Sequence, residues 1–197
     1  MRRLGRVTGT VGGRGPRILD VEGVPVAAMI TLAWEDIEEL VGRLADRLPR
    51  DYDLILVITR GGMVPACLLS ERLDLRNIVA AAVMFYTEGT ADPDRTLVEP
   101  IFLEFPDDRL LVGKRILIVD DVWETGQTAM AVRGRVREAG GRPDLAVLHF
   151  KPGRSAVAER PDYYAETTDE WVVYPWDPVR AGTPRGEAAG YPGRCAV

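Results

Sequence analysis

Apolar positions along the chain follow two alternating patterns. In TLAWEDIEELVGRLADRL, from Thr31 to Leu48, Ile37, Leu40, Val41, Leu44 and Leu48 recur at helical spacing. Acids lead this stretch and arginines close it, which suits the helix dipole, and Thr31 stands where a cap is expected. The next segment, DLILVIT, is an unbroken apolar run ending in Arg60-Gly61-Gly62. Such a run predicts a strand buried on both faces, as in a parallel sheet, feeding a glycine turn. VPACLLSERL then reads as a helix and IVAAAVMFY as a strand. IFLEF gives a short strand, RILIV (115–119) a central one, and TAMAVRGRVREA a helix stopped at Gly140-Gly141. LAVLHF (145–150) is another buried strand, and WVVYPW (171–176) reads as an irregular aromatic segment after a short strand. Strands alternating with helices predict an α/β fold: an open, mostly parallel twisted sheet flanked by helices on both faces.

The two ends lack this pattern. Residues 1–17, MRRLGRVTGTVGGRGPR, carry Arg2, Arg3, Arg6, Arg14 and Arg17 and no acid. A peripheral extension is the expected reading, and a basic arm on nucleic acid is its competitor. Beyond Asp177 the chain turns to Gly, Pro, Arg and Ala, a tail. The expected organisation is therefore an extension over 1–30, one domain over 31–178 and a tail over 179–197. With 197 residues and 46% hydrophobic content, the chain can bury one sizeable core. A net charge of −5 excludes bulk attraction to polyanions but leaves a local basic pocket open. Only Cys67 and Cys195 occur, so no disulfide framework is expected and a reducing cytoplasm fits. No run reaches the length of a membrane span, and no apolar leader with a cleavage site follows the first arginines.

The chemistry concentrates in ILIVDDVWETGQT, residues 116–128. Its apolar run delivers Asp120 and Asp121 to the C-terminal edge of the sheet, where open α/β sheets bind ligands. Thr125, Gly126, Gln127 and Thr128 then offer hydroxyls and main-chain N–H groups at a helix start, an anion cradle in which Thr128 is also placed to cap. Two acids beside an anion cradle suit a ligand with two faces, as a sugar phosphate has. The cradle takes the phosphate, and the carboxylates take sugar hydroxyls or Mg²⁺. A Walker loop is excluded because Gln127 stands where lysine is needed, and the glycines at 9, 12, 13 and 15 do not fit a dinucleotide fingerprint.

This segment resembles the PRPP-binding motif of type I phosphoribosyltransferases. ITRGGMVPA (58–66) resembles their pyrophosphate loop. HFKPGR (149–154) and TTDEWVVYPWD (167–177) resemble the base-binding hood of bacterial and archaeal xanthine-guanine (hypoxanthine) phosphoribosyltransferases. The likeness runs from about residue 31 to 178. It implies transfer of ribose 5-phosphate from PRPP to a purine base. Arg60, Gly61 and Gly62 would hold pyrophosphate, behind a cis Thr59–Arg60 peptide. Asp120 and Asp121 would bind ribose, and residues 124–128 the 5-phosphate. Asp121 and Asp177 would serve Mg²⁺. Lys151 would meet the exocyclic oxygen of a 6-oxopurine, Trp171 would stack on the base and Val172 would act through its main chain. Trp176 reads as packing, and His149 as structural.

One departure stands out. Relatives usually carry Asp where this chain has Glu124, the expected general base, and Trp123 beside it is bulky. A site of altered shape leaves room for a purine analogue such as a 7-deazapurine. Residues 86–99, with Arg95, are the expected lid over a reactive ribose cation. The competing class is a PRPP-sensing regulator of the same fold, supported only by the basic arm. The resemblance further implies a homodimer or homotetramer, with PRPP and a purine base or nucleotide as ligands and no membrane or nucleic-acid partner.

Overall fold

The computed structural model describes residues 29–87 and 98–176. The first expected helix is present but begins later than the pattern suggests. α1 runs Trp34–Ala45, capped by Ala33, whose N–H donates to Asp36 Oδ2 at 2.7 Å. Thr31 is not a cap, because it ends a short strand, β1 (Met29–Thr31). A main-chain pairing has taken it up before the helix starts. The remaining elements follow in order: β2 (Leu54–Ile58), α2 (Met63–Leu73), β3 (Ile78–Thr87) and β4 (Val98–Glu104). Then come β5 (Arg115–Trp123), α3 (Gln127–Glu138), β6 (Arg142–Phe150), β7 (Tyr163–Thr167) and β8 (Trp171–Val173).

Six strands form the main sheet in the order β4-β3-β2-β5-β6-β7. All neighbours are parallel except β3 and β4, which pair antiparallel, so the sheet is mostly parallel as expected. β1 and β8 form a separate parallel pair, Met29 to Trp171 and Thr31 to Val173. That pair is the hood. WVV is therefore itself a strand; three residues are too few for periodicity to reveal it.

The unbroken apolar runs are explained by two cores. Ile55, Val57, Leu117, Val119, Ala146 and Leu148 face α1 and α2, with Ile37, Leu40, Val41 and Leu44 packed on them. The alternate residues Leu54, Leu56, Ile58, Ile116, Ile118, Leu145 and Val147 face α3 through Ala129, Val132 and Val136. A strand covered on both faces has no polar side to show. Most of these side chains are fully buried, each contributing about 1.5–3 kcal/mol of apolar transfer free energy.

The strand order places the site. From β2 the chain moves outward to β3 and β4 on one side; from β5 it moves to β6 and β7 on the other. β2 and β5 are neighbours, so their C-terminal ends flank the switch point, where a crevice must open. Among the described residues, no helix is long and apolar enough to cross a membrane.

Candidate active site

The crevice is a cavity of about 890 Å³. Its wall includes Arg60 and Gly61 from the β2–α2 turn, Asp120, Asp121 and Glu124 from β5 and its loop, and Thr125, Gly126 and Thr128 at the start of α3. Lys151 and the hood residues Trp171 and Val172 complete the other end. Gly62 and Gln127 lie beside the cavity without lining it: Gly62 N–H donates to Ile58 O at 3.0 Å and Gly62 caps α2. Asp177, Arg95 and most of the 86–99 segment lie outside the described residues, as do the basic arm and the tail.

The acid pair is recessed and tightly set. Gly61 abuts the Asp121 carboxylate, so a β-carbon there would stand 2.5 Å from Asp121 Cγ. Gly62 abuts the β5 main chain, where a β-carbon would stand 3.0 Å from Asp120 Cα. The two glycines thus let the β2–α2 turn lie against the acids. The Thr59–Arg60 peptide is cis. Burial, followed by the neighbouring Asp121 charge, pushes the Asp120 carboxyl well above its ordinary range. Burial also raises Asp121, to about 6, against hydrogen bonds from the Val122 main chain, Asp120 and Trp176 that favour its charged form.

Trp176 packs against the core, as expected, but it and Tyr174 also stand beside Asp121, which sequence reasoning did not foresee. The Trp176 indole stands near the Asp121 carboxylate and favours its charged form. Tyr174 donates to the Asp121 carbonyl at 3.1 Å, and its ring stacks on Trp176 with centroids 4.7 Å apart. Tyr174 Oη also lies 2.9 Å from His149 Nδ1. A hydroxyl has one proton and a carbonyl only accepts, so His149 Nδ1 carries the hydrogen of that second bond. His149, 2% exposed, is thus structural, and burial lowers its pKa to about 4. The only available signal for Tyr174 and Trp176 was their place in an aromatic run before Asp177.

The anion cradle is built on Gly126, the N-cap of α3, whose φ of +81° favours glycine. Thr128 lies inside the first turn and is not the cap, since Gly126 holds that position. Thr125 Oγ1 sits 3.4 Å from the Gln127 N–H. Trp123 is the floor beneath: 1% exposed, edge-on to Phe150, with its indole donating to Ser155 Oγ at 3.1 Å. Its bulk fills core and also forms part of the cavity wall, against Gly126.

At the hood end of the cavity Lys151 is 3% exposed, 5.4 Å from the Trp171 ring centroid and 3.5 Å from Glu124 Oε1. A buried ammonium needs such a partner. β5 and β6 bring the two together, pairing Val122 with His149 and Trp123 with Phe150.

A family model for the phosphoribosyl transferase domain matches residues 31–180. A xanthine-guanine phosphoribosyltransferase from Roseobacter denitrificans is 31% identical over 154 residues, covering 74% of this chain and 84% of that one. The crystal structure of a purine phosphoribosyltransferase from Pyrococcus horikoshii superposes with a TM-score of 0.63 at 33% identity, covering 76% of this chain and 93% of that one. A hypothetical protein from Neisseria gonorrhoeae with bound ppGpp superposes with a TM-score of 0.66 at 25% identity, covering 77% and 90%.

Proposed function

The chain belongs to the phosphoribosyl transferase domain family, and from that premise we propose that it transfers the ribose 5-phosphate of PRPP to a 6-oxopurine base with release of pyrophosphate. One observation carries the reading. A single cavity holds an acid pair, a helix N-terminus, an Arg-Gly turn and, at its far end, a buried lysine beside a tryptophan. Those four parts suit ribose, 5-phosphate, pyrophosphate and an oxygen-bearing flat base in turn.

In the proposed reaction the bond from C1′ to pyrophosphate breaks first, and the leaving group takes the electron pair. Positive charge develops on the ribose, which Asp120 and Asp121 offset. A ring nitrogen of the purine then bonds to C1′, and its proton passes to Glu124. Arg60 and the Gly61 main chain hold pyrophosphate. Lys151, a donor without acceptor capacity, meets the exocyclic oxygen and penalises an amine in that place.

Mg²⁺ is the cofactor of this reading. Two adjacent carboxylates whose charge is disfavoured by burial call for a cation. Among the described residues no group of three or more His, Cys, Asp or Glu forms a cage. Such a donor set suits a hard ion held largely by substrate oxygens and water. Asp121 would serve it, with Asp177 the proposed second carboxylate. When bound, Mg²⁺ would neutralise charge on the pyrophosphate. A cytoplasmic location and a homodimer or homotetramer belong to the same proposal; light scattering reads the latter.

The test is turnover with PRPP and Mg²⁺ against guanine, xanthine, hypoxanthine, adenine and a 7-deazapurine, with the nucleotide identified by mass. A 6-oxopurine is expected to give the highest kcat/KM, and Lys151→Met to flatten its margin over adenine. A preference for adenine refutes the role of Lys151. Reaction of the deazapurine alone keeps the chemistry and replaces salvage with a specialised pathway. Absence of turnover with tight PRPP binding favours the sensing regulator.

A further inference from the structure

Two cations meet one carboxylate oxygen at the base end, and the proposed transfer gives a task to only one of them. Lys151 Nζ stands 3.5 Å and Arg154 Nη1 3.7 Å from Oε1 of Glu124. Lys151 caps and Arg154 closes one short 3-10 turn, Pro152–Arg154, in which Arg154 N–H donates to Lys151 O at 3.1 Å. Residues three apart line up in such a turn, so both side chains reach the same side. The turn is tied down. Gly153 N–H donates to Asp169 Oδ1 at 2.9 Å, Lys151 N–H to Trp123 O at 3.0 Å, and Ala156 N–H to Thr125 O at 2.9 Å. The loop carrying the cations is thereby laced to the loop carrying Glu124. Arg154 itself does not line the cavity and is half-exposed, so its object is Glu124 and not the ligand.

This arrangement addresses a problem created by the proposed function, on which the argument rests. Lys151 is buried, and its described carboxylate partner is Glu124. Moving its ammonium toward the base oxygen loosens a contact that is already 3.5 Å long, and a partly buried carboxylate left without its cation is costly. We propose that Arg154 is a positioning residue that exchanges with Lys151 on Glu124. Base binding draws the ammonium to the exocyclic oxygen, and the guanidinium keeps Oε1. A carboxylate has about four acceptor positions, which leaves Oε2 to receive the ring proton. Arginine suits this role because its planar fork holds a carboxylate while remaining charged. Glu124, longer than the expected Asp, is what reaches both cations.

The experiment uses the full chain as Arg154→Met, Arg154→Lys, Glu124→Gln and the Arg154→Met/Glu124→Gln pair, with two readouts. In kinetics with guanine, Arg154→Met should raise the base KM about fivefold, the size of one partly exposed ion pair, and leave the PRPP KM within about twofold. Arg154→Lys should recover most of the loss, and on the Glu124→Gln background Arg154→Met should have no further effect. A parallel rise in both KM values, or the same loss without Glu124, overturns the proposal. The second readout needs no turnover: acetic anhydride labelling of Lys151 in the unliganded protein, followed by mass spectrometry. Loss of Arg154 should slow labelling, because Lys151 then holds Glu124 alone, and Glu124→Gln should abolish the difference. Unchanged labelling in Arg154→Met overturns the exchange. If the parent turns over no base, the proposed function fails separately, and labelling still decides whether the two cations share Glu124.

Discussion

Gly61→Ala tests the acid pair with one methyl group. A β-carbon at this position would stand 2.5 Å from Asp121 Cγ and closer still to both carboxylate oxygens. Relaxed carbon contacts lie near 3.5–4.0 Å, so about 1 Å of retreat is required. Gly61 has no left-handed φ, so the penalty comes from the contact and not from the turn. Asp121 cannot retreat freely, because Tyr174 holds its carbonyl at 3.1 Å. A 1 Å displacement at a reacting centre is worth about a hundredfold in rate, or roughly 2.7 kcal/mol. The kcat/KM for PRPP should therefore fall about a hundredfold, while thermal unfolding shifts by only a few degrees. Gly134→Ala is the control: this α3 glycine has nothing within 4 Å of an added β-carbon. It should keep full activity and gain roughly 0.5–1 kcal/mol of stability from helix propensity. Activity of Gly61→Ala within threefold of the parent, or a crystal structure with Asp121 unmoved, would refute the reasoning.

Three further changes have signed outcomes. Gly126→Ala combines φ +81° with a β-carbon 2.5 Å from Trp123 Cε2; it should cost at least about 2 kcal/mol and raise the PRPP KM, read by urea unfolding and kinetics. Asp120→Asn with Asp121→Asn removes charges that burial disfavours, so stability at pH 7.5 should hold or rise while turnover drops by roughly a thousandfold or more. His149 has a folded pKa of about 4 against an ordinary 6.5, so the unfolded chain takes its proton first as pH falls. Stability should drop by up to about 3 kcal/mol between pH 6.5 and 4 on this account, whereas the raised Asp121 pulls the other way as pH falls through 6. The stability of the parent minus that of His149→Gln isolates the histidine, and a pH-independent difference would show that His149 is not buried neutral.

What the sequence made legible is what a local pattern can carry. The runs around Leu56, Ile118 and Val147 are apolar on both faces because α1 and α2 cover one side of the sheet and α3 the other. The acid pair and Gly126 were readable because a strand end, two carboxylates and a glycine helix start are contiguous in the chain. β1, β7 and β8 were less so, since strands of three to five residues leave little periodicity. The capping assignments to Thr31 and Thr128 failed for a related reason. Residue type favours threonine at a cap, but β1 pairing claims one threonine, and the positive φ needed at the start of α3 gives that cap to Gly126.

Distances across strands are the part that no local pattern carries. Glu124 and Lys151 become partners through the register of β5 with β6, and Tyr174 reaches Asp121 only because the hood folds back over β5. These contacts change what the residues can do. Glu124 read alone is an acid one methylene too long for its family position. Held by Lys151 and Arg154 at once, it is an acid long enough to sit between two cations. Trp176 read alone is packing, yet its indole also favours the charged form of the Asp121 carboxylate. β8 therefore serves two ends of the cavity, because Trp171 at its first residue lies beside Lys151 while Tyr174 and Trp176 just beyond it lie beside Asp121. A shift of β8 must move both ends together, so variants at Tyr174 should alter base and PRPP kinetics jointly, whereas variants at Lys151 or Arg154 should act on the base alone.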